Sequence, residues 1–197
     1  MFPYGFKLLI MKQHILPAFK LTLISLVFFC GIYTLLIWLI AQAAPNHGEG
    51  EIVRMKERVA GYALEGQNFT KDNYFWSRPS AVAYNAAGSG ASNKGPSNPD
   101  YLKDLQSRVD SFLVHNPSVL KKDIPSELLT TSASGLDPDI SPRGAYVQIA
   151  RIAKARKINE EKIKALVNQH LQSPFLGLFG TEKVNVLKLN IDLEKLN

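Results

Sequence analysis

From Leu21 to Ala41 the chain reads LTLISLVFFCGIYTLLIWLIA, twenty-one residues without a carboxylate, amine or guanidinium. As a helix this stretch runs roughly 32 Å at about 1.5 Å per residue, enough to cross a hydrocarbon core of about 30 Å. A helix satisfies its own backbone hydrogen bonds, which lipid cannot do, so Leu21–Ala41 is predicted to span a membrane. The span divides the chain into an N-terminal segment 1–20, the span 21–41, a linker 42–50 and a soluble domain 51–197. Lys7, Lys12 and Lys20 precede it with no acid, whereas the far flank mixes Glu49, Glu51, Arg54 and Lys56. The positive-inside bias puts the N-terminus in the cytoplasm and the domain on the exported side. Pro17 is placed in the first helical turn, where a missing N–H costs little, and Trp38 suits an interfacial anchor. Ala41-Gln42-Ala43 also has the form of a signal-peptide cleavage site. The apolar run, however, exceeds the roughly 7 to 15 residues of a signal h-region, which favours a retained anchor.

Three of the 23 Lys and Arg residues lie before the span, leaving 20 against 17 acids and a net charge of +3 after Ala41. That balance argues against nucleic acid as a partner. Cys30, the single cysteine, sits inside the span as a small apolar residue, so the domain has neither a disulfide framework nor a cysteine metal site.

Along the domain, Ile52, Met55 and Val59 fall at helical spacing in EIVRMKERVAGYA, against which Gly61 and Gly66 count. Tyr74-Phe75-Trp76 is predicted as a strand that ends at Pro79. Ala81–Pro99 is a long loop of Gly, Ser, Asn, Ala and Pro, of the kind that is uncommon unless functional or disordered. Asn98 caps a helix with Pro99 at its first position and Leu102, Leu105, Val109, Phe112 and Leu113 on one face. A second loop, Ser132–Pro142, precedes a helix capped by Ser141 and running through Lys157. Asn159 caps another, with Ile158 and Ile163 as a hydrophobic staple. Leu187, Leu189, Ile191 and Leu193 alternate with polar residues, so Val184–Leu193 is predicted as the clearest strand, with a bulge near Leu187. The domain is therefore α+β with few strands.

Catalytic constellations are missing from this pattern. His14, His47, His115 and His170 have no partner at ligand spacing, and neither H-E-x-x-H nor G-x-S-x-G occurs. Gly88-Ser89-Gly90 and Lys94 lack the spacing of a phosphate loop. Asp137-Pro138-Asp139 reads as a local turn in preference to a cation site. Arg143, Arg151, Lys154 and Arg156 read as a basic cluster on a solvated face.

YFWSRPSAVAYNAAGSGASNKGPSNP (74–99) and SASGLDPDISPRGAYVQIARIAKAR (132–156), with GQNF (66–69) and the terminal VNVLKLNIDL, resemble the C subunit of the Kdp potassium-transporting ATPase. Tyr62, Glu65, Ile149 and Ala150 depart from that pattern. The resemblance implies an accessory subunit of an ATP-driven potassium pump in the bacterial inner membrane. Its partners would be a channel-like potassium-selecting subunit, a P-type ATPase subunit and a small one-helix peptide, besides membrane lipid. It further implies a catalytic chaperone that raises the ATP affinity of the ATPase subunit. The chain would have no cofactor of its own, with ATP at most shared. Nucleotide contact, if made, would fall on Gln148, with Ser134 and Gly135 as loop donors and Arg151 for charge. Partner contacts are assigned to Arg78, Pro79, Asn85, Gly88, Ser89, Gly90, Asn98, Asp137 and Asp139, and helix packing in the membrane to Gly31 and Thr34. An exported domain lies opposite cytoplasmic ATP, so an effect on ATP affinity would be a coupling free energy passed through the assembly. The alternative is a tethered exported module that binds a small solute independently through the two Gly/Ser loops.

Overall fold

The computed structural model describes residues 4–196. The chain divides at Gly50/Glu51 into two compact units.

The first unit is one long helix. It comprises α1 (Tyr4–Leu26), a π-helical stretch Val27–Tyr33 and α2 (Thr34–Gln42). Gln13–Gln42 is long and apolar enough to cross a membrane, and it extends the predicted span on its N-terminal side. Pro17 therefore lies within α1, not in its first turn. Thr22 Oγ1 donates to the Ala18 carbonyl at 2.9 Å and Thr34 Oγ1 to the Phe29 carbonyl at 2.9 Å. Both hydroxyls are thus satisfied within the helix, as an apolar surrounding demands. Beyond Gln42 the chain turns back on the helix end: Gln42 Nε2 donates to the His47 carbonyl at 3.3 Å, and His47 Nδ1 lies 3.2 Å from the Gln42 carbonyl.

The second unit mixes helices with short strands. β1 (Ile52–Met55) and β2 (Arg58–Tyr62) form an antiparallel hairpin whose register shifts between Val53 and Arg54. The helical spacing over this stretch is overridden by the two-residue Lys56-Glu57 turn, where Lys56 has φ +57°, and by the β-forming residues that flank it. Next come α3 (Pro99–His115), β3 (Asp139–Ile140), α4 (Pro142–Tyr146), α5 (Ile149–Arg156), α6 (Glu160–Gln169), β4 (Leu171–Gln172), β5 (Lys183–Asn185) and α7 (Val186–Leu193). The strands β3-β5-β4 make a small antiparallel sheet in that order. Around it α3 buries Val109 and Phe112, α5 Ile152, α6 Ile163 and Val167, and α7 Leu189 and Leu193.

The caps fall where the sequence places them: Asn98 accepts from Asp100 and Tyr101, Ser141 from Gly144 and Asn159 from Glu161. Three further expectations fail. Val184–Leu193 is a strand only to Asn185; Asn185 Oδ1 then accepts the Lys188 N–H at 3.0 Å and caps α7. α7 is buried on most of its circumference, the polar Asn190 included, while its residues 187–193 alternate apolar and polar with a strand's period of two. The break in alternation near Leu187 marks the strand-to-helix junction, not a bulge. The helix expected through Lys157 is interrupted at Val147-Gln148. Finally, Tyr74-Phe75-Trp76 joins no sheet.

Candidate functional site

The extended Phe75-Trp76 segment has the hydrogen bonds of a strand but draws them from side chains. Phe75 N–H donates to Asn190 Oδ1 at 2.9 Å, and Asn190 Nδ2 donates to the Phe75 carbonyl at 2.9 Å. For Trp76 the same two bonds run to Gln148, from its N–H to Oε1 at 2.8 Å and from Nε2 to its carbonyl at 3.3 Å. In an extended chain successive residues turn their N–H and C=O to opposite edges. One amide on α7 and one at the start of α5 therefore grip the two edges, each standing in for a neighbouring peptide unit. Asn190 and Gln148 are 2% and 0% exposed. A buried amide is stable only when its polar atoms are paired, and Gln148 Nε2 adds a bond to the Gly144 carbonyl at 2.9 Å.

Arg151 completes this clamp. Its guanidinium lies 4.2 Å from the Trp76 ring centroid. It donates to Gln148 Oε1 at 2.7 Å, Asn116 Oδ1 at 3.1 Å and the Asp72 carbonyl at 2.8 Å. Burial pushes its pKa down to about 10, partly opposed by the charge of Asp72, so it remains a cation at neutral pH. Arg156 is likewise buried: it donates to the Asn73 carbonyl at 2.6 Å, pairs with Glu194 and lies over Tyr74. The basic cluster is thus not one solvated face, because only Arg143 and Lys154 reach solvent. His115 and His170 do find carboxylates, Asp72 at 2.7 Å and Asp192 at 2.9 Å, through long-range contacts invisible to local spacing.

The two Gly/Ser loops dock on one another. Ser80 Oγ donates to the Gly135 carbonyl at 2.7 Å while accepting the Tyr84 N–H at 2.9 Å. Gly90 N–H and Ser89 Oγ both donate to the Ser134 carbonyl at 2.9 Å, and Ser132 N–H to that of Pro79 at 3.1 Å. Gly135 has φ +69°, and a Cβ there would lie 2.5 Å from Val82 Cγ2 and 2.9 Å from the Gly90 carbonyl oxygen. Glycine alone fits this crossing. The Tyr84 hydroxyl donates to the Arg78 carbonyl at 2.7 Å, and burial pushes its pKa up.

Asp137 and Asp139 already have cations: Arg78 Nη1 is 2.8 Å from Asp137 and Lys183 Nζ 2.6 Å from Asp139. Asp137 Oδ1 also accepts the Asp139 N–H at 3.1 Å, the turn bond that the sequence suggests. Arg78 Nε is shielded from solvent without an acceptor. Asn85 caps a short turn, and Gly88 has open space around it. Gly31 has nothing within 4 Å of a Cβ position, whereas Thr34 spends its hydroxyl on its own helix.

Of the residues assigned to nucleotide, the structure brings Gln148 and Arg151 together, inside the clamp. Ser134 and Gly135 belong to the loop crossing. Sequence reasoning missed Asn190, Asn116, Asp72 and Ser80. Asn190 was assigned to the polar side of a strand, and only its place within an apolar run signals burial. An open cleft of roughly 490 Å³ borders the clamp, lined by Trp76, Phe69, Tyr84, His115 and the Ser107, Arg108 and Ser111 side of α3. Among the described residues no group of three or more His, Cys, Asp or Glu could hold a metal ion.

Residues 15–195 match the family described as the K+-transporting ATPase, c chain. A potassium-transporting ATPase KdpC subunit from Bacteroides fragilis is 51% identical over 187 residues, covering 93% of this chain and 98% of that protein. The Flavobacterium psychrophilum KdpC subunit is 52% identical, with 93% and 99% covered, and that of Bacillus cytotoxicus 41%, with 93% and 97%. The chain belongs to the KdpC family, the C subunits of the potassium-transporting ATPase.

Proposed function

We propose that this subunit works as a non-catalytic accessory of the pump. Its helix anchors it beside its partners in the bacterial inner membrane, and its exported domain covers the potassium entrance of the channel-like subunit. It assists assembly and raises the ATP affinity of the P-type ATPase subunit. The observation that carries this reading is the docking of the two signature loops into one preorganised platform, in a chain of this family. Such a platform, with Arg78, Pro79, Asn85, Gly88, Asn98 and Asp139 proposed as contact residues on and around it, offers contact surface with little entropy left to lose.

The effect on ATP passes through the assembly, not through direct contact. Gln148 and Arg151 already engage Trp76, Asn116 and Asp72, which leaves them as poor nucleotide ligands. A subunit that fits one conformation of its partners better than another shifts their equilibrium by that difference.

The test replaces the span with an unrelated apolar helix of equal length in the full complex. The expected result is loss of this subunit from the purified pump and a higher KM for ATP. Wild-type assembly and KM after the exchange would count against the reading.

A further inference from the structure

Ser107 and Ser111 stand one turn apart on the exposed side of α3, beside the buried Phe112. Their short side chains leave the cleft of roughly 490 Å³ open where longer ones would fill it. Its floor is apolar. Phe112 and the half-buried Phe69 and Trp76 line it, with the Trp76 and Phe112 rings edge-to-face at 6.4 Å between centroids. A hollow of this volume, with an aromatic floor and a few polar groups at its edge, has the form of a small-molecule site.

The groups at the edge select the charge of an occupant. Arg108 is half-buried and lines the cleft, and its Nη1 donates to the Leu129 carbonyl at 3.0 Å. The acids of its own helix are engaged elsewhere: Asp104, one turn before it, is bound to Lys94 at 2.9 Å, and Asp110 accepts from Gln106 at 2.7 Å. Among the described residues, then, the guanidinium has no carboxylate partner, and no acid lines the cleft. His115, at the rim, is turned to Asp72 at 2.7 Å. An uncompensated guanidinium beside an aromatic floor disfavours a cation and favours an anion with an apolar body, and its fork of N–H groups matches a carboxylate. This wall is the C-terminal half of α3, the negative end of the helix dipole, which suits one negative charge better than the two of a phosphate.

We propose that this cleft, independently of the accessory role, binds a small carboxylate with a flat apolar body. Arg108 holds the carboxylate, and the body lies against Trp76 and Phe112 in the space that Ser111 leaves open. The test uses the full chain in nanodiscs of zwitterionic lipid, with Trp38→Phe so that Trp76 is its single tryptophan. The chain is titrated with 3-phenylpropionate and, separately, with the neutral amide of the same shape. Trp76 emission is expected to change saturably with the carboxylate and to need about tenfold more of the amide. Arg108→Gln is expected to weaken carboxylate binding about tenfold or more, and Arg108→Lys to restore part of it. Ser111→Phe keeps the charge and is expected to abolish binding by filling the cleft. Equal binding of acid and amide, binding unchanged in Arg108→Gln or in Ser111→Phe, or an emission change that never saturates overturns the inference. Each of these outcomes leaves the accessory-subunit reading standing.

Discussion

Gln148 and Asn190 do at residue scale what a neighbouring strand does elsewhere, and their removal has a defined cost. Gln148→Met keeps the volume but strips partners from the Trp76 N–H and from a buried guanidinium. Leaving such groups unpaired costs about 2–4 kcal/mol, and Asn190→Leu costs about 1–3 kcal/mol by the same reasoning. Chemical denaturation of the full chain in detergent measures both. A loss below about 0.5 kcal/mol, the range of ordinary surface changes, would show that the clamp does not hold the Phe75-Trp76 segment. Glu194 gives a pH signature. Hydrogen bonding from Arg156, with a smaller share from Tyr74, holds its carboxyl below the ordinary 4.5 despite partial burial. The unfolded chain therefore binds the proton more tightly. The stabilisation is complete above the unfolded value and is lost as pH falls through the lower, folded value. Glu194→Gln is expected to flatten the acid limb of a melting-temperature profile below about pH 4.5; an unchanged acid limb contradicts this.

At the scale of elements, the crossing of the two loops depends on one backbone position. Gly135→Ala adds a Cβ against Val82 and the Gly90 carbonyl at a left-handed φ, whereas Gly88→Ala adds one into open space. The first is expected to destabilise by about 1–3 kcal/mol and to speed proteolysis within residues 81–97. The second should change neither. Equal proteolysis of the two variants would mean that the loops do not depend on this crossing. Helices that begin at a side-chain cap and carry one apolar stripe, α3 and α6, were legible in the sequence because both signals are local. The apolar span was legible for the same reason. α7 was not, since Leu187, Leu189, Ile191 and Leu193 alternate with polar residues at a strand's period, and the burial of Asn190 is set by the distant Phe75 segment. The strand expected at Tyr74–Trp76 does not form: Tyr74 is a bend, and the backbone of Phe75 and Trp76 is paired with two amides lying 115 and 72 residues away. Such distant partners leave no mark on local pattern. The clamp was half visible: Gln148 and Arg151 were singled out through the resemblance, for another role, while Asn190 was hidden by the strand assignment.

At the scale of the whole molecule, the chain is a membrane-capable helix followed by a mixed helix-and-strand unit. That unit's most distinctive polar groups are turned inward to hold loops and one extended segment. Inward-turned groups fix the surface that this unit presents to solvent. The most direct test is to purify the pump through a tag on this subunit, and in parallel from cells lacking it, and to titrate ATP with and without potassium. The account predicts stoichiometric recovery of the channel-like and ATPase subunits with potassium-stimulated hydrolysis, and a KM for ATP that rises when this subunit is absent. Recovery of this subunit alone under conditions that preserve other membrane complexes, or an unchanged KM in its absence, would contradict it.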